Sequence, residues 1–470
     1  MMSAANPTLV LFRHDLRLGD NLALVAAAGR GGPVIPVFVF DEESPGVRPI
    51  GGARRWWLHH SLTALSADLA KRGSRLIVRR GVMADVAKAL ARETGAAAVF
   101  WNRRYDPAGR NADAATKTAL LAAGLAAESF DGFLLHEPWR LLTGGGTPFK
   151  VFTPFWRALQ ASGPPRDPVD APTTLPAPVC WPDSLAVDDL GLTPRRPDWS
   201  TGLAETWIPG EAAANDRLEL FLAEILDGYA ERRDRPDIDA TSRLSPHLAH
   251  GEISPRRIRH AAMNVKASGR DRDKFLAELA WREFSWHLLF HRPDLPVANC
   301  NPAFDAFAWV EDREGFRAWR KGKTGYPMVD AGMRQLWSTG WMHNRVRMVA
   351  ASFLVKHLLT DWRKGEAWFW DTLVDADMAS NAASWQWVAG SGADAAPWFR
   401  IFNPVLQGEK FDKDGDYVRA NLPELADEPG PSVHRAANAK RGLYPAAIIG
   451  HDFARARALA ALETMRLAKG

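Results

Sequence analysis

Cysteine is scarce: Cys180 and Cys300 are the only two in 470 residues. Two thiols cannot form a disulfide framework, and an iron–sulfur cluster needs about four thiolates. A reducing, cytoplasmic setting fits. Long apolar runs are also missing. "MMSAANPTLVLFRHDLRLGD" holds a single short apolar run before Arg13, too short for a secretory leader. No stretch approaches the roughly 18 apolar residues of a membrane span, so no membrane partner is expected. There is no internal repeat and no low-complexity tail. No G-x-G-x-x-G follows the first apolar run, which argues against a nicotinamide site there.

What is present is an ordinary soluble composition with a mild basic bias. Hydrophobic residues make up 46% and charged residues 24%, with a net charge of +4 and a pI near 9.0. That balance suits an anionic partner without demanding one. The length allows two or three domains. Over the first 130 residues, short apolar runs at 8–12, 34–40, 75–79 and 97–102 alternate with helical patterns at 20–29, 53–73 and 84–94. This spacing predicts a doubly wound parallel sheet, an α/β domain over 1–132. From 133 to 204 proline and glycine are frequent, as in "SGPPRDPVDAPTTLPAP", and a connector with little regular structure is expected. From 205 to 470 helical patterns dominate, so a larger all-α domain follows. Ser245–Pro246 and Ser254–Pro255 each read as a cap before a first-turn proline.

Twelve of the 20 tryptophans lie between Trp281 and Trp398. They read either as a tryptophan-rich core or as a cluster serving an aromatic ligand by stacking or redox chemistry. In "ASNAASWQWVAGSG", Asn381 and Trp385 share a helical face while Trp387 points nearly the other way, toward a different surface. Asp375 and Asp377 precede that helix, where carboxylates are favoured. Asn344, Arg347 and Met348 fall at i, i+3, i+4, an odd face for a core and a suitable wall for a cavity. Thr241, Ser242 and Ser245 offer hydroxyls near a helix start, as a phosphate site or as simple caps. His247 and His250 lack the partners of a metal site. Glu278 shares a turn with Trp281 and Arg282. In an apolar run it must be paired or protonated, and a protonated carboxyl could donate to a substrate carbonyl.

Six ordered motifs, "FRHDLRLGDNLAL", "TSRLSPHLAHGEIS", "WREF", "KGKTGYPMVDAGMRQLWSTGWMHNRVRM", "DWRKGE" and "SNAASWQWVAGSGADAAPWFRIFNP", together resemble the photolyase/cryptochrome family over nearly the whole chain. The nearest pattern is that of bacterial cyclobutane pyrimidine dimer (CPD) photolyases. The resemblance implies an antenna-type domain with a five-stranded sheet and a helical domain holding FAD. It implies light-driven electron transfer from reduced flavin to a dimer flipped out of UV-damaged DNA, by a monomeric enzyme.

Carried onto this sequence, the resemblance implies that Asn381 faces the flavin N5. Tyr229, Thr241, Ser242, Leu244 and Ser245 would bind the diphosphate and ribityl region. Trp341, Arg347, Asp375 and Asp377 would hold the isoalloxazine, with Arg347 paired to Asp375. Glu278 and Asn344 would hydrogen-bond the dimer, and Trp281, Met348 and Trp387 would pack against it. Trp385, Trp362 and Trp309 would form an electron-hopping chain. Arg233, Arg345 and Arg400 would contact the DNA backbone. Relatives repairing (6-4) photoproducts carry histidines where Asn344 and Met348 stand. Plant cryptochromes, the photoreceptor alternative, usually carry Asp in place of Asn381 and a long tail. The folate-contact position after the fourth strand, often Glu in relatives, falls on Gly109. Methenyltetrahydrofolate is the expected antenna, with 8-hydroxy-5-deazaflavin or no antenna as alternatives.

Overall fold

The computed structural model describes residues 6–394, 399–438 and 444–467. Five strands, β1 (Thr8–Phe12), β2 (Val34–Phe40), β3 (Ile77–Arg80), β4 (Ala98–Asn102) and β5 (Ala126–Phe130), form one parallel sheet in the order β3-β2-β1-β4-β5. Alternation along β1 explains the double winding. Val10 and Phe12 pack against α1 (Leu22–Gly29) and α2 (Gly52–Ala70). Leu9 and Leu11 belong to the opposite layer, with α3 (Met83–Thr94) and α4 (Pro107–Ala122).

Two elements fall outside the patterns singled out in the sequence. β5 is an edge strand whose Glu128 is exposed, so it lacks the continuous apolar run of the inner strands. α4 begins at Asp106, whose carboxylate accepts from the Gly109 amide, with Pro107 in its first turn. β3 starts two residues later than its apolar run.

The 133–204 stretch carries more structure than expected. A helix, Phe152–Ala161, presents Phe152, Phe155 and Leu159 to Ala280 and Phe284. The proline-rich remainder is irregular but not detached: Leu175, Leu190 and Leu192 close one face of the sheet.

The helical part is built on a buried cluster that includes Trp319, Trp362, Trp370 and Trp385. Ser254 caps the Pro255–Asn264 helix, accepting from the Arg257 amide at 3.0 Å. Ser245 does not cap. The preceding residue, Leu244, is the N-cap, and Ser245 is already the first helical residue. Its hydroxyl is therefore turned to a side-chain partner, described below.

Three buried ties hold the sheet against the helices. Arg17 donates to the carbonyls of Gly251 (2.9 Å), Gly132 (2.6 Å) and Asp20 (2.9 Å). The Trp57 indole donates to Glu252 at 2.9 Å. Trp370 donates to the Pro49 carbonyl at 2.9 Å. Contact is so close that Gly251, at φ +70, could not carry a Cβ: it would lie 1.9 Å from the His14 carbonyl oxygen.

Candidate functional site

A cavity of about 580 Å³ is bordered by residues of the Gly269–His291, Asn344–Ser352 and Met378–Ala389 helices and of the 229–248 segment. Its size suits an organic ligand. At its base, Arg347 grips Asp375 with two hydrogen bonds, 3.1 and 2.8 Å. Ser245 Oγ donates to Asp375 at 2.6 Å, and Arg347 Nε donates to the Met342 carbonyl at 2.7 Å. Asp375 is buried, and a buried carboxylate needs a cation and filled lone pairs to stay charged. Asp377 caps the Met378–Ala389 helix through the Ser380 amide and also borders the cavity.

Asn381 is buried at the cavity wall. Its Nδ2 donates to the Glu366 carbonyl at 3.1 Å and to Glu366 Oε1 at 2.8 Å. Both partners are acceptors only, so the NH₂ faces Glu366 and Oδ1 is left for the cavity.

Nearer the mouth, Glu278 is ion-paired to Arg233 (2.9 Å) and Lys274 (3.0 Å). Of the two arrangements considered from sequence, the carboxyl is the paired one. Arg282, on the same helical turn, pairs with Glu283 at 3.0 Å. Burial alone would lower Arg233, but Glu278 and Tyr229 hold it above its usual value. Burial pushes Tyr229 up to about 12. Arg345 pairs with Asp234 at 2.7 Å. Asn344 is exposed, and with Arg347 and Met348 it borders the cavity, as their helical spacing predicts. Trp281 lies flat on Phe152, with ring centroids 3.7 Å apart and planes at 7°.

The two tryptophans of the 378–389 helix border the same cavity rather than separate surfaces. They differ in depth. Trp385 is 2% exposed, with its ring 5.0 Å from that of Phe369. Gly365 makes room for it, since a Cβ there would meet the Trp385 ring at 2.2 Å. Trp387 is half-buried. Trp362 starts the helix that carries Gly365; it is fully buried, and its indole donates to Asn299 at 2.9 Å. Trp309 packs on the same core.

Tyr229, Ser242, Leu244 and Ser245 border the cavity together. Thr241 and Trp341 do not. The Thr241 carbonyl accepts from Arg217 at 2.7 Å, and Trp341 packs behind Arg347 against Trp207. Arg400 is exposed and outside the lining. His247 and His250 are occupied by Glu252 (2.5 Å) and the Pro246 carbonyl (3.0 Å). Sequence reasoning missed Lys274, Asp234, Phe152 and Glu366. Asp234, Phe152 and Glu366 act through partners distant in sequence, whereas Lys274 meets Glu278 at i, i+4, a helical spacing that could have pointed to it.

A second cavity, about 130 Å³, lies at the carboxyl ends of β1, β2 and β4. Arg13, Arg48, Arg54 and Arg104 border it, with Phe40, Asp106 and Trp370. Arg54 is 5% exposed, and burial lowers it to about 10. Its Nε has no hydrogen-bond partner among the described residues. At Gly109 a Cβ would lie 2.5 Å from Asp106 Oδ1, so a larger side chain there would require the Asp106 carboxylate to shift.

A doubly wound sheet beside a helical, arginine- and tryptophan-lined cavity defines a two-part protein built around a large organic ligand. The chain belongs to the DNA photolyase family. The model for "DNA photolyase" matches residues 8–177, and that for "FAD binding domain of DNA photolyase" matches 275–464. A deoxyribodipyrimidine photo-lyase of Agrobacterium fabrum is 54% identical, with 98% of each chain covered. The crystal structure of a bacterial class III photolyase from Agrobacterium tumefaciens superposes with a TM-score of 0.96 at 53% identity, covering 99% of each chain. An archaeal photolyase from Sulfolobus tokodaii, solved with two FAD molecules, gives 0.83 at 30% identity, covering 97% of this chain and all of the other.

The helix that brings Asn344, Arg347 and Met348 to the cavity is capped by His343, whose Nδ1 accepts from the Arg345 amide at 3.2 Å. Burial lowers His343 from 6.5 to about 4, opposed in part by a hydrogen bond to the Arg233 backbone and by the Asp234 charge. The unfolded chain therefore binds this proton first as pH falls. The stabilisation is complete above pH 6.5 and is lost between 6.5 and about 4. It amounts to on the order of 3 kcal/mol at about 1.4 kcal/mol per pKa unit. Asn caps without titrating, so His343→Asn should flatten the fall of urea-unfolding stability over this range. An unchanged slope would contradict a neutral His343 cap.

Proposed function

We propose that this chain is a deoxyribodipyrimidine photo-lyase that binds FAD in the main cavity and reverses cyclobutane pyrimidine dimers in DNA under light. The observation that carries this is the pairing, in one cavity, of two walls with different chemistry. Arg347, Asp375 and Asn381 line one part of it, and Glu278, Trp281, Asn344, Met348 and Trp387 another. The residues fit FAD: Asn381 Oδ1 and the Arg347 guanidinium are held toward the cavity by buried partners, and Trp385 Nε1 is buried without a partner among the described residues. When bound and reduced, FAD supplies a light-driven electron donor that takes its electron back after the dimer splits.

The chain's own residues bind, orient and exclude water. Tyr229, Ser242, Leu244 and Ser245 would hold the diphosphate and ribityl region, with Thr241 acting only through its backbone. Arg347, fixed by Asp375, would hold the isoalloxazine, with Trp341 supporting the guanidinium from behind and Asp377 setting the start of the Asn381 helix. Glu278 and Asn344 would hydrogen-bond the flipped bases. Trp281, braced by Phe152, would form the wall with Met348 and Trp387. Asn344 and Met348 in place of histidines favour CPD over (6-4) lesions. Arg233, Arg345 and Arg400 would meet backbone phosphates, which makes binding salt-dependent. Trp385, Trp362 and Trp309 would relay electrons inward, supported by the Trp385 ring seated on the helix that Trp362 begins.

For the antenna, the second cavity suits a planar chromophore bearing an acidic group, since Arg54 is buried there without an ion-pair partner among the described residues. Methenyltetrahydrofolate is our assignment, held by these arginines and not through position 109, where glycine has no side chain to make the contact. Chromatography of the released chromophores identifies it.

Glu278→Ala, at equal FAD content, should slow light-driven reversal in a dimer-bearing oligonucleotide at least about tenfold, the effect of losing a hydrogen bond to a charged group. Unchanged reversal would remove Glu278 from the substrate wall, and no reversal by the parent protein would overturn the proposal. Trp362→Phe should slow photoreduction of oxidised flavin yet leave reversal by pre-reduced protein nearly intact. Equal loss of both would contradict the relay.

A further inference from the structure

Behind Asn381 stands a chain of polar contacts that leaves the main cavity and ends in the other domain. Glu366 is 3% exposed and borders neither cavity. Its Oε1 accepts from Asn381 Nδ2 at 2.8 Å and from Arg48 Nη1 at 2.7 Å. Its Oε2 accepts from Arg48 Nη2 at 2.9 Å. Arg48 follows β2, lies over the Trp370 ring at 4.2 Å, and borders the second cavity. So one buried carboxylate separates the two cavities and is shared by a group from each.

We propose that Arg48 and Glu366 are positioning residues that orient the Asn381 amide from the α/β side, and so govern how the flavin site holds its reduced state. This rests on the assignment of FAD to the main cavity. A carboxylate can only accept, so Asn381 must give it the NH₂ and turn Oδ1 to the cavity. Arg48 keeps that carboxylate charged and aimed. Without the guanidinium, a buried carboxylate is left uncompensated and must protonate or move, and either change leaves the amide held only by the Glu366 backbone carbonyl. With Gln in place of Glu366, the new side chain can donate as well as accept, and only the weaker contact to the residue 366 backbone carbonyl, 3.1 Å here, still selects the NH₂. The bidentate grip also requires arginine. Lysine restores the charge but not the two parallel hydrogen bonds.

The test is the rate at which photoreduced flavin reoxidises in air in the dark, measured on purified full-length Arg48→Ala, Glu366→Gln and Arg48→Lys. Arg48→Ala and Glu366→Gln should each change the rate by about fivefold, as expected for one oriented hydrogen bond. Arg48→Lys should fall between them and the parent. Glu366→Gln is isosteric and serves if Arg48→Ala does not fold. Rates equal to the parent's, with flavin bound, overturn the proposal. So does a lowered melting temperature with an unchanged rate, the result expected of a mere tie between domains. Purified parent protein without flavin would instead overturn the FAD assignment itself.

Discussion

A carboxylate buried in a protein must be matched by a cation and have its lone pairs filled, and the site described here depends on two that are. Asp375 is held by Arg347 and Ser245, and Glu366 by Arg48 and Asn381. Each pair joins segments far apart in the chain. The first ties the helix bearing Asn344 and Met348 to the start of the Asn381 helix. The second ties the Trp362–Thr372 helix to the loop after β2. Because neither carboxylate can be left unpaired cheaply, the cavity walls cannot shift independently. Pre-organised polar groups are what a cofactor site needs, since they cost no reorganisation when the ligand enters.

The sheet contributes through its carboxyl edge. β1, β2 and β4 end beside one another, so Arg13, Asp41 and Arg104 emerge at the second cavity. Crevices at this edge are where parallel sheets commonly hold ligands. Close packing of the helical part brings Trp370 and Asp377 to the same place. The two cavities are therefore neighbours, with Asp377 bordering both and Glu366 standing between.

Much of this was legible in the sequence where patterns are local. The inner strands were clear because both faces are buried and the runs are continuously apolar. The i, i+3, i+4 face of Asn344, Arg347 and Met348 was clear because helical spacing alone decides it. β5 was obscure because an edge strand need not be apolar, and the Phe152–Ala161 helix was hidden among prolines and glycines. The divergence of Trp385 and Trp387 by helical angle was correct as geometry. It became a difference of depth within one cavity because Gly365 lets the Trp385 ring sink into the neighbouring helix. Glu366 and Arg48 could not be found locally, whereas the i, i+4 spacing of Lys274 and Glu278 could have been. Glu366 meets Asn381 15 residues on and Arg48 318 residues back, a meeting that only folding brings about.

The central claim is that the cavity closed by Arg347, Asp375 and Asn381 is a flavin site. Denaturing a weighed amount of purified protein and counting the released chromophores tests it most directly. The account predicts close to one FAD per chain. Release of no flavin, or of a flavin lacking the adenylate half, would contradict it.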